Sequence, residues 1–582
     1  MSKKLENLIY LVGMVFIAIL YTYIRLPMLN IEDSFRDWNS DYAIFVMMGE
    51  DIKTLQDFPF FYWGTNYLGP LNNAAMALTQ WIMEQFGYFQ EVPFIPGKKF
   101  VIGPLAASLN CMWMLFSGIF FYGLAFKRLF TVWEALFACL LLSVGDAMFI
   151  RFSLRPLAPE VAVFLGGLLT WRGIALAQNP NSKNQILFGF LFGFSWWMNQ
   201  ITVFAIVPVL YYFISQSSEY KFLRENISLK SRLFLQTEQL GWGQLHSAWK
   251  AFLAFVYFII SLNFLMGFII ALTGPINDRF WGIKLKIGNG LAPMKTSILI
   301  FGATQFLMWF FMRENSKEKI LNVLKTLRYF IIGFAIGYGP VILGKVFKLY
   351  KTGYGPRFIL LPVKYVIPYW TLLIEDFYPR LLLHKDKTLL IPFFILFLGS
   401  LFYLIYKNKE DIISYVFAKA QKPSIHSLLW GAAFFNFVYV ILCDRSRSQY
   451  AFRYAILTLP IISIYLVTLF RRIPIKVIGI TLTLALSSLF GYAKYHQGQQ
   501  RLSQFKNADT RMNVLKSIID SDCEVFYSNY WGSYVFEYLL QHEKRFVPTR
   551  GEDRTPEESN RLKSSTLKKC DLDENTFQIK EI

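Results

Sequence analysis

Three aspartates recur at every fourth position after the first apolar segment of this chain: Asp33, Asp37 and Asp41. On a helix, residues four apart share a face, so the three carboxylates would lie together. Repulsion between like charges raises the pKa of at least one such carboxyl group, which suits general-base catalysis. The alternative is an acidic face that is solvated at a membrane surface. The spacing alone leaves both interpretations open.

The composition indicates a membrane protein. The chain has 582 residues, of which 54% are hydrophobic, 18% aromatic and 17% charged, and long apolar runs recur along it. These features are typical of a polytopic α-helical membrane protein. The formal net charge of +20 comes mostly from short basic clusters between apolar runs, as in the cytoplasmic loops of membrane proteins. No basic domain interleaved with aromatic residues appears, which argues against nucleic-acid binding.

The apolar runs predict about 13 transmembrane helices and a cytoplasmic N-terminus. The predicted spans are 8–26, 103–126, 130–150, 157–178, 184–198, 200–216, 251–272, 294–312, 328–346, 388–406, 427–443, 453–470 and 477–494. The loops that this topology places inside are basic, which supports the orientation. Residues 1–494 would then form the membrane domain, and the tail, 495–582, would lie outside the cytoplasm.

Two long outer loops differ in charge. The first, 27–102, is rich in acids, and its segments "YAIFVMMGEDI" and "LNNAAMALTQWIMEQF" have the periodicity of amphipathic helices that lie flat on a bilayer. The second, 345–387, is basic and contains Arg357 and Lys364. Positive charge on the outer side opposes the usual rule. Either this loop binds an anionic lipid phosphate, or it only touches acidic head groups.

The tail has the pattern of a small α/β unit, with predicted strands at 524–527 and 545–547 and a loosely ordered charged end at 550–582. Cys523 and Cys570 can pair if the tail lies in an oxidising compartment. The cysteines and histidines show no metal-ligand spacing, so the sequence predicts neither a metal site nor a cofactor.

Several segments resemble a known family. The stretch "SDYAIFVMMGEDIKTLQDFPFFYWGTNYLGPLNNAAMAL" resembles the first outer loop of bacterial membrane glycosyltransferases of the GT-C superfamily. These are family-39-like relatives of protein O-mannosyltransferases and aminoarabinose transferases. Their pattern is Ser-Asp-Glu, an apolar helix, an aromatic stretch and Gly-x-x-Tyr-x-Gly-x-Leu. It stands here as Ser40-Asp41, "FPFFYWG" and "NYLGPL", but the family's glutamate is replaced by Tyr42. Later segments also resemble the family in order, namely "LRPLAPEVAVFLGGLLTW", "GFLFGFSWWMNQITVFAIVPVLYY", "FRYAILTLPIISIYL" and "VFYSNYWGSYVFEYLL".

The resemblance implies a transferase that uses a polyprenyl-phosphate-linked monosaccharide on the outer face of a bacterial inner membrane. The acceptor would be a glycan, a lipid or a protein, and the family's catalytic aspartate corresponds to Asp41. Tyr42 puts in doubt any role that needs a second, adjacent carboxylate. Such a transfer needs a base for the acceptor hydroxyl and cations for the leaving phosphate. The candidate substrate-binding residues are Asp37, Tyr67, Arg155, Glu160, Arg357, Lys364, Arg445, Arg447, Arg453, Tyr530 and Trp531.

Some of these candidates have an ordinary structural interpretation as well. Glu160 either contacts the sugar or acceptor, or is an acid favoured at a helix N-terminus. Arg453 either binds phosphate or anchors a span at the interface. Tyr530 and Trp531 either line the site or belong to the core of the tail.

Two other functions remain open from the sequence. A transporter or lipid flippase would explain the spans and the basic loop, although it would favour repeated halves and broken helices. A non-catalytic membrane scaffold whose tail binds an exported partner would tolerate a conservative change at Asp41.

Overall fold

The structure is a computed structural model. It describes residues 2–26, 29, 40–63, 68–91, 99–101, 103–144, 153–154, 156, 159–202, 205, 208–209, 212, 255–265, 276–280, 283–287, 294, 296–297, 300–301, 316–347, 406, 425–426, 428–433, 436, 456–470, 508–540, 543–550, 555–573 and 578–581. Most of these residues are helical. The helices with defined bounds are α1 (Lys3–Arg25), α2 (Ser40–Lys53), α3 (Leu71–Gln85), α4 (Gly103–Phe126), α5 (Val132–Val144), α6 (Pro159–Gln178), α7 (Ser182–Met198), α8 (Phe255–Leu265), α9 (Ser316–Val346), α10 (Thr458–Phe470), α11 (Ala508–Asp520), α12 (Tyr530–Leu539) and α13 (Pro556–Ser564).

Four helices in the described ranges are long and apolar enough to cross a membrane: Lys3–Arg25, Leu105–Phe126, Pro159–Gln178 and Leu327–Val346. Together with the shorter apolar helices α5 and α8, they confirm the predicted class of α-helical polytopic membrane protein. The predicted number of spans stays a prediction. Of the predicted spans, 477–494 lies outside the described residues, and 388–406 does so apart from its last residue.

The membrane core is built around α1, α4, α5 and α6. Buried tyrosines of α1 donate their hydroxyls to backbone carbonyls of α4, Tyr10 to Phe120 at 2.7 Å and Tyr21 to Met112 at 2.9 Å. A side chain on Gly167 of α6 would place its Cβ 2.5 Å from the carbonyl oxygen of Gly118 on α4. These two helices therefore approach each other as closely as their backbones allow.

Helices α7 and α9 form a second close pair through two glycine motifs. A Cβ at Gly189 or Gly193 of α7 would meet backbone oxygens of α9 within 2.5 Å. A Cβ at Gly333 or Gly337 of α9 would lie 2.1 Å from a backbone oxygen of α7. Small residues spaced by four thus line both sides of this contact, which is a common way for helices to associate in lipid.

In the loop between α1 and α4, α2 and α3 run side by side in the same direction. The amide of Asn73 donates to the carbonyl of Phe45 at 3.0 Å near the start of the pair. Lys53 and Glu84 form an ion pair at its far end. Beyond α3, strands β1 (Phe89–Glu91) and β2 (Lys99–Val101) form an antiparallel hairpin, and a second hairpin joins β3 (Ile276–Phe280) to β4 (Ile283–Ile287).

The tail is an α/β unit with a four-stranded sheet in the order β6-β5-β7-β8. Its strands are β5 (Val525–Asn529), β6 (Arg545–Arg550), β7 (Lys569–Asp573) and β8 (Gln578–Glu581). Strand β5 is parallel to both of its neighbours, and β7 is antiparallel to β8.

The expectation of a loosely ordered end at 550–582 is wrong, because α13, β7 and β8 fold within it. Its apolar side chains Leu562 and Leu572 are buried in the core of the tail. A disulfide joins Cys523, before β5, to Cys570 in β7, with their Cα atoms 6.0 Å apart. Burial of apolar side chains and a disulfide therefore order the C-terminal end of the tail. The charge pattern of the sequence indicates neither of them.

Candidate functional site

Asp41 lies in the first turn of α2. Every residue from Tyr42 to Gly49 is buried, while Asp41 itself is half-buried. The apolar side chains of α2 form one cluster with Met76 of α3, Ala107 of α4, and Tyr534 and Val535 of α12.

The expectation that "YAIFVMMGEDI" lies flat on a bilayer is therefore wrong. The helix packs against three other helices, which belong to the first loop, the membrane core and the tail. A helix held in this way places the carboxylate at its first turn with little freedom to move.

The aromatic stretch of the first loop holds the start of α2. The Tyr62 hydroxyl donates a 2.6 Å hydrogen bond to the backbone carbonyl of Asp41. The backbone N–H of Tyr62 donates to the carbonyl of Leu68 at 2.8 Å, which closes the loop on itself. The next residue, Trp63, approaches the sulfur of Met48 through its backbone N–H at 3.4 Å. The loop thus contacts α2 at both its first and its third turn.

The same loop is attached to the C-terminal end of α7. The indole N–H of Trp197 donates to the carbonyl of Phe60 at 2.8 Å. The N–H of Gly69 donates to the carbonyl of Met198 at 3.0 Å, and Leu68 forms an isolated antiparallel bridge with Asn199. A Cβ at Gly69 would lie 2.6 Å from the Met198 sulfur and 2.9 Å from its Cα. Glycine is required here because the two backbones approach so closely.

Tyr42, which stands where the resembled family has glutamate, points into the protein. Its side chain is 4% exposed, and its hydroxyl shares a 3.0 Å hydrogen bond with Ser108 of α4. Ser108 in turn donates to the carbonyl of Leu154 at 3.0 Å. Burial raises the pKa of Tyr42, so its hydroxyl stays neutral at physiological pH. This position therefore braces α2 and supplies no second carboxylate.

A buried arginine holds residues 153 and 154, the short segment to which Ser108 is bonded. Arg25, at the end of α1, is fully buried, and its Nε donates to the Ser153 hydroxyl at 2.6 Å. It also donates to the carbonyls of Tyr21 and Ser143 at 3.0 Å, and it stacks over the Tyr21 ring. Residues 153 and 154 thus join α1 to the Ser108–Tyr42 contact. Because a buried charge needs such partners, Arg25 fixes this segment firmly.

A fully buried carboxylate lies beside the start of α3. Glu160, in the first turn of α6, accepts a hydrogen bond from the amide of Asn72. Asn72 accepts another from Asn110 of α4, through its side chain and, at 3.2 Å, its backbone carbonyl. Asn72 therefore links α4 and the first turn of α6 to the start of α3. The position of Glu160 in a first turn also suits its charge. A direct contact with substrate stays a prediction.

The remaining sequence-predicted residues are only partly placed. Tyr530 and Trp531 begin α12, the tail helix that packs on α2, but only their backbone is described. The other predicted residues lie outside the described residues, namely Asp37, Tyr67, Arg155, Arg357, Lys364, Arg445, Arg447 and Arg453. Within the described ranges, no cluster of three or more His, Cys, Asp or Glu side chains is arranged to hold a metal ion.

Several supporting residues were missed by the sequence analysis. Tyr62 lies within the quoted aromatic stretch, so the signal was present but did not single it out. Asn72 and Ser108 gave no signal, because isolated polar residues in apolar helices have many possible partners. Arg25 ends an apolar run, where arginine usually marks the membrane interface.

No protein-family model matches the chain, and no curated protein sequence matches it. Among solved structures, the Archaeoglobus fulgidus oligosaccharyltransferase in its apo form aligns with a TM-score of 0.42 and 11% identity, over 93% of this chain. The same enzyme tethered to an acceptor peptide containing the NVT sequon gives the same values. This chain spans 64% of the length of that oligosaccharyltransferase.

ArnT from Cupriavidus metallidurans, solved bound to undecaprenyl phosphate, aligns with a TM-score of 0.37 and 10% identity, over 93% of this chain and 87% of its own. The likeness is weak, so the case for a specific activity rests on the residues of this chain.

Proposed function

We propose that the protein is a membrane glycosyltransferase that moves a monosaccharide from a polyprenyl phosphate to an acceptor at the outer membrane face. Asp41 is the general base of this proposal. The observation that supports it most is the placement of Asp41, which is half-buried just before the buried residues 42–49 of α2, a helix that packs against three other helices. A catalytic group needs such a rigid support, because misplacement by about 1 Å costs much of the rate.

The proposed reaction is a single displacement. Asp41 takes the proton of the acceptor hydroxyl, and the acceptor oxygen attacks the anomeric carbon of the sugar. The bond from that carbon to the phosphate oxygen breaks, which releases polyprenyl phosphate and inverts the anomeric configuration. Arginine and lysine stabilise the negative charge of the leaving phosphate. The proposed phosphate ligands are Arg357, Lys364, Arg445, Arg447 and Arg453, and Arg155 is proposed to bind substrate.

The other proposed substrate-binding residues are assigned from their positions relative to Asp41. Asp37 lies four residues before Asp41 in the sequence, so on a helix its carboxylate would face the same substrate. Tyr67 lies in the same loop sequence as Tyr62, whose hydroxyl bonds to the backbone of Asp41. Tyr530 and Trp531 begin the tail helix beside α2, and aromatic faces suit sugars and lipids. Glu160 would act on the substrate only if the buried contact with Asn72 opens.

The outer location of the site is supported by two contacts. Helix α12 of the tail packs on α2, so the tail and the first loop lie on the same side of the membrane. The Cys523–Cys570 disulfide in the tail fits an oxidising compartment rather than the cytoplasm. With Lys3 and Lys4 starting α1 on the inner side, the proposed setting is a bacterial inner membrane with an exported tail.

The test uses the full-length protein in proteoliposomes with a panel of radiolabelled polyprenyl-phosphate monosaccharides and a cell-envelope extract as acceptor. Release of polyprenyl phosphate is compared for the wild type, Asp41→Asn and the control Asp57→Asn, which changes an exposed acid of the same loop. Release by the wild type and the control, but not by Asp41→Asn, supports the proposal. Movement of an intact donor across the vesicle without release contradicts it and indicates a flippase.

A further inference from the structure

The tail helix α12 has apolar contacts on two opposite sides. Its side chains Phe536 and Leu540 lie in the core of the tail. Tyr534 and Val535 lie instead in the apolar cluster around α2. Because each residue of an α-helix advances about 100° around the axis, these two pairs are on roughly opposite sides of α12. Helix α12 is therefore a layer between the sheet of the tail and α2.

The side of α12 that faces the tail is firmly attached. The helix follows directly from the last residue of β5. The rings of Phe536 and Phe546 are in contact, with their centroids 5.9 Å apart. Glu537, which is 6% exposed, accepts a hydrogen bond from Arg545 of β6 at 3.1 Å. Since these contacts are closely packed, α12 cannot shift unless the sheet of the tail shifts with it.

Tyr534 connects the tail to the α2 cluster. Its side chain is 2% exposed and is one of the largest buried side chains in the described part of the chain. Its hydroxyl shares a 3.3 Å hydrogen bond with the hydroxyl of Thr555. Thr555 directly precedes α13, and its carbonyl accepts the backbone N–H of Ser559 in that helix. The ring of Tyr534 thus packs in the α2 cluster while its hydroxyl contacts the start of a second tail helix.

Helix α2 depends on the tail for one of its three supports. Met76 of α3 and Ala107 of α4 supply two of them, and both precede the tail in the sequence by more than 400 residues. Tyr534 and Val535 supply the third. Loss of the large Tyr534 ring would leave a cavity beside α2, because a closely packed interior relaxes only in part. Since Asp41 begins α2, freedom of this helix extends to the candidate base.

We infer that Tyr534 is a positioning residue for Asp41, so that the folded tail sets the geometry of the candidate site. The tyrosine acts by holding α2 in place and takes no part in the reaction itself. The kinetic consequence of this inference rests on the proposed function. The support of α2 by Tyr534 is a separate property, which can be measured without turnover.

Hydrogen exchange measures the support of α2 directly. The full-length wild type, Tyr534→Phe, Tyr534→Ala and Leu562→Ala are reconstituted in lipid nanodiscs, and mass spectrometry follows the peptides that cover residues 42–53. Leu562 is the matched control, because it packs against Val525 and Val547, on the face of the sheet opposite to Phe546. We expect α2 to exchange about tenfold faster in Tyr534→Ala and at the wild-type rate in Leu562→Ala, because only the first change removes a contact that resists local opening of α2.

Turnover is measured for the same four proteins and for Asp41→Asn, with the panel of polyprenyl-phosphate monosaccharides. Tyr534→Ala should lower kcat about 10–100-fold while the KM for the donor changes little, because a small misplacement of a catalytic group slows the reaction more than it weakens binding. Tyr534→Phe should restore most of the rate, since its ring still fills the space beside α2. Leu562→Ala should keep the wild-type rate.

Two results would overturn the inference. Equal exchange of α2 in Tyr534→Ala and Leu562→Ala would show that α2 does not need the ring. A wild-type kcat in Tyr534→Ala, despite faster exchange of α2, would show that the support does not extend to Asp41. If β5 and β7 also exchange faster in Tyr534→Ala, the tail has unfolded, and Tyr534→Leu, which leaves a smaller cavity, replaces it in both comparisons. Failure of the proposed function differs from these results, because the wild type would then release no more polyprenyl phosphate than Asp41→Asn, and exchange alone would decide the inference.

Discussion

The hydroxyl of Tyr62 donates a 2.6 Å hydrogen bond to the backbone carbonyl of Asp41 within the loop between α1 and α4. This bond links the aromatic stretch, which is attached to the C-terminal end of α7, to the turn that carries the candidate base. Tyr62 therefore helps to position the carboxylate and has no proposed part in the reaction itself.

Loss of this bond should slow turnover more than it weakens the fold. We expect Tyr62→Phe to retain its fold, with a loss of about 1 kcal/mol in stability, because one hydrogen bond is removed and the ring stays in place. The turnover rate should fall several-fold while the KM for the donor changes little. Steady-state kinetics and thermal unfolding check this. The control Tyr88→Phe alters an exposed tyrosine of the same loop, and equal kinetics for the two variants would contradict the positioning role.

A glutamate at position 42, as in the resembled family, should destabilise the protein. Tyr42 is buried in an apolar cluster, so Tyr42→Glu would bury a carboxylate without a prepared partner, at a cost of at least about 2 kcal/mol. Tyr42→Phe removes only the Ser108 bond and should cost about 1 kcal/mol. Chemical unfolding of the detergent-solubilised protein measures both. A Tyr42→Glu variant that is as stable as wild type, and more active, would show that this position faces the substrate.

The close contact between α7 and α9 should not tolerate a methyl group. A Cβ at Gly337 would lie 2.1 Å from the carbonyl oxygen of Phe190, so Gly337→Ala must push the helices apart and should cost about 1–3 kcal/mol. The matched control is Gly339→Ala on the same helix, where a Cβ meets no atom within 4 Å. Equal stability of the two variants in a denaturation series would contradict the observed packing.

The disulfide of the tail gives a prediction about topology. If the tail is exported, Cys523 and Cys570 are oxidised in the cell and resist a maleimide until a reductant is added. The Cys570→Ser variant should lose about 2–5 kcal/mol of stability in the tail. Mass spectrometry after labelling under non-reducing conditions measures the state of both thiols. Full labelling before reduction would place the tail in a reducing compartment.

Long apolar runs were the most predictable part of the fold. The span predicted at 103–126 coincides with Gly103–Phe126, and that at 157–178 differs from Pro159–Gln178 by two residues. An unbroken apolar run of this length forms a membrane-spanning helix in most proteins, because a helix satisfies all of its backbone hydrogen bonds in lipid. Helix α1 begins at Lys3, before the predicted start, because its first turn is polar and capped by Ser2.

Periodicity failed where tertiary contacts decide which face is buried. The pattern of α2 resembles that of a helix on a bilayer, yet the tail helix α12 covers it. No local feature announces this contact, since the two segments are almost 500 residues apart in the sequence. The partners of Arg25 and Glu160 were hidden for the same reason. The motif around Asp41 could be recognised from the sequence, whereas the contacts that hold it could not.

The most direct test of the account separates binding from turnover in Asp41→Asn. Donor binding is measured by calorimetry with the unlabelled polyprenyl-phosphate sugar, and turnover by single-turnover release of polyprenyl phosphate at saturating enzyme. If Asp41 is the general base, the variant binds the donor within a few-fold of wild type, and its turnover falls by about 10²–10⁴. Turnover within a few-fold of wild type, at unchanged binding, would show that another group takes the proton and would contradict the central claim.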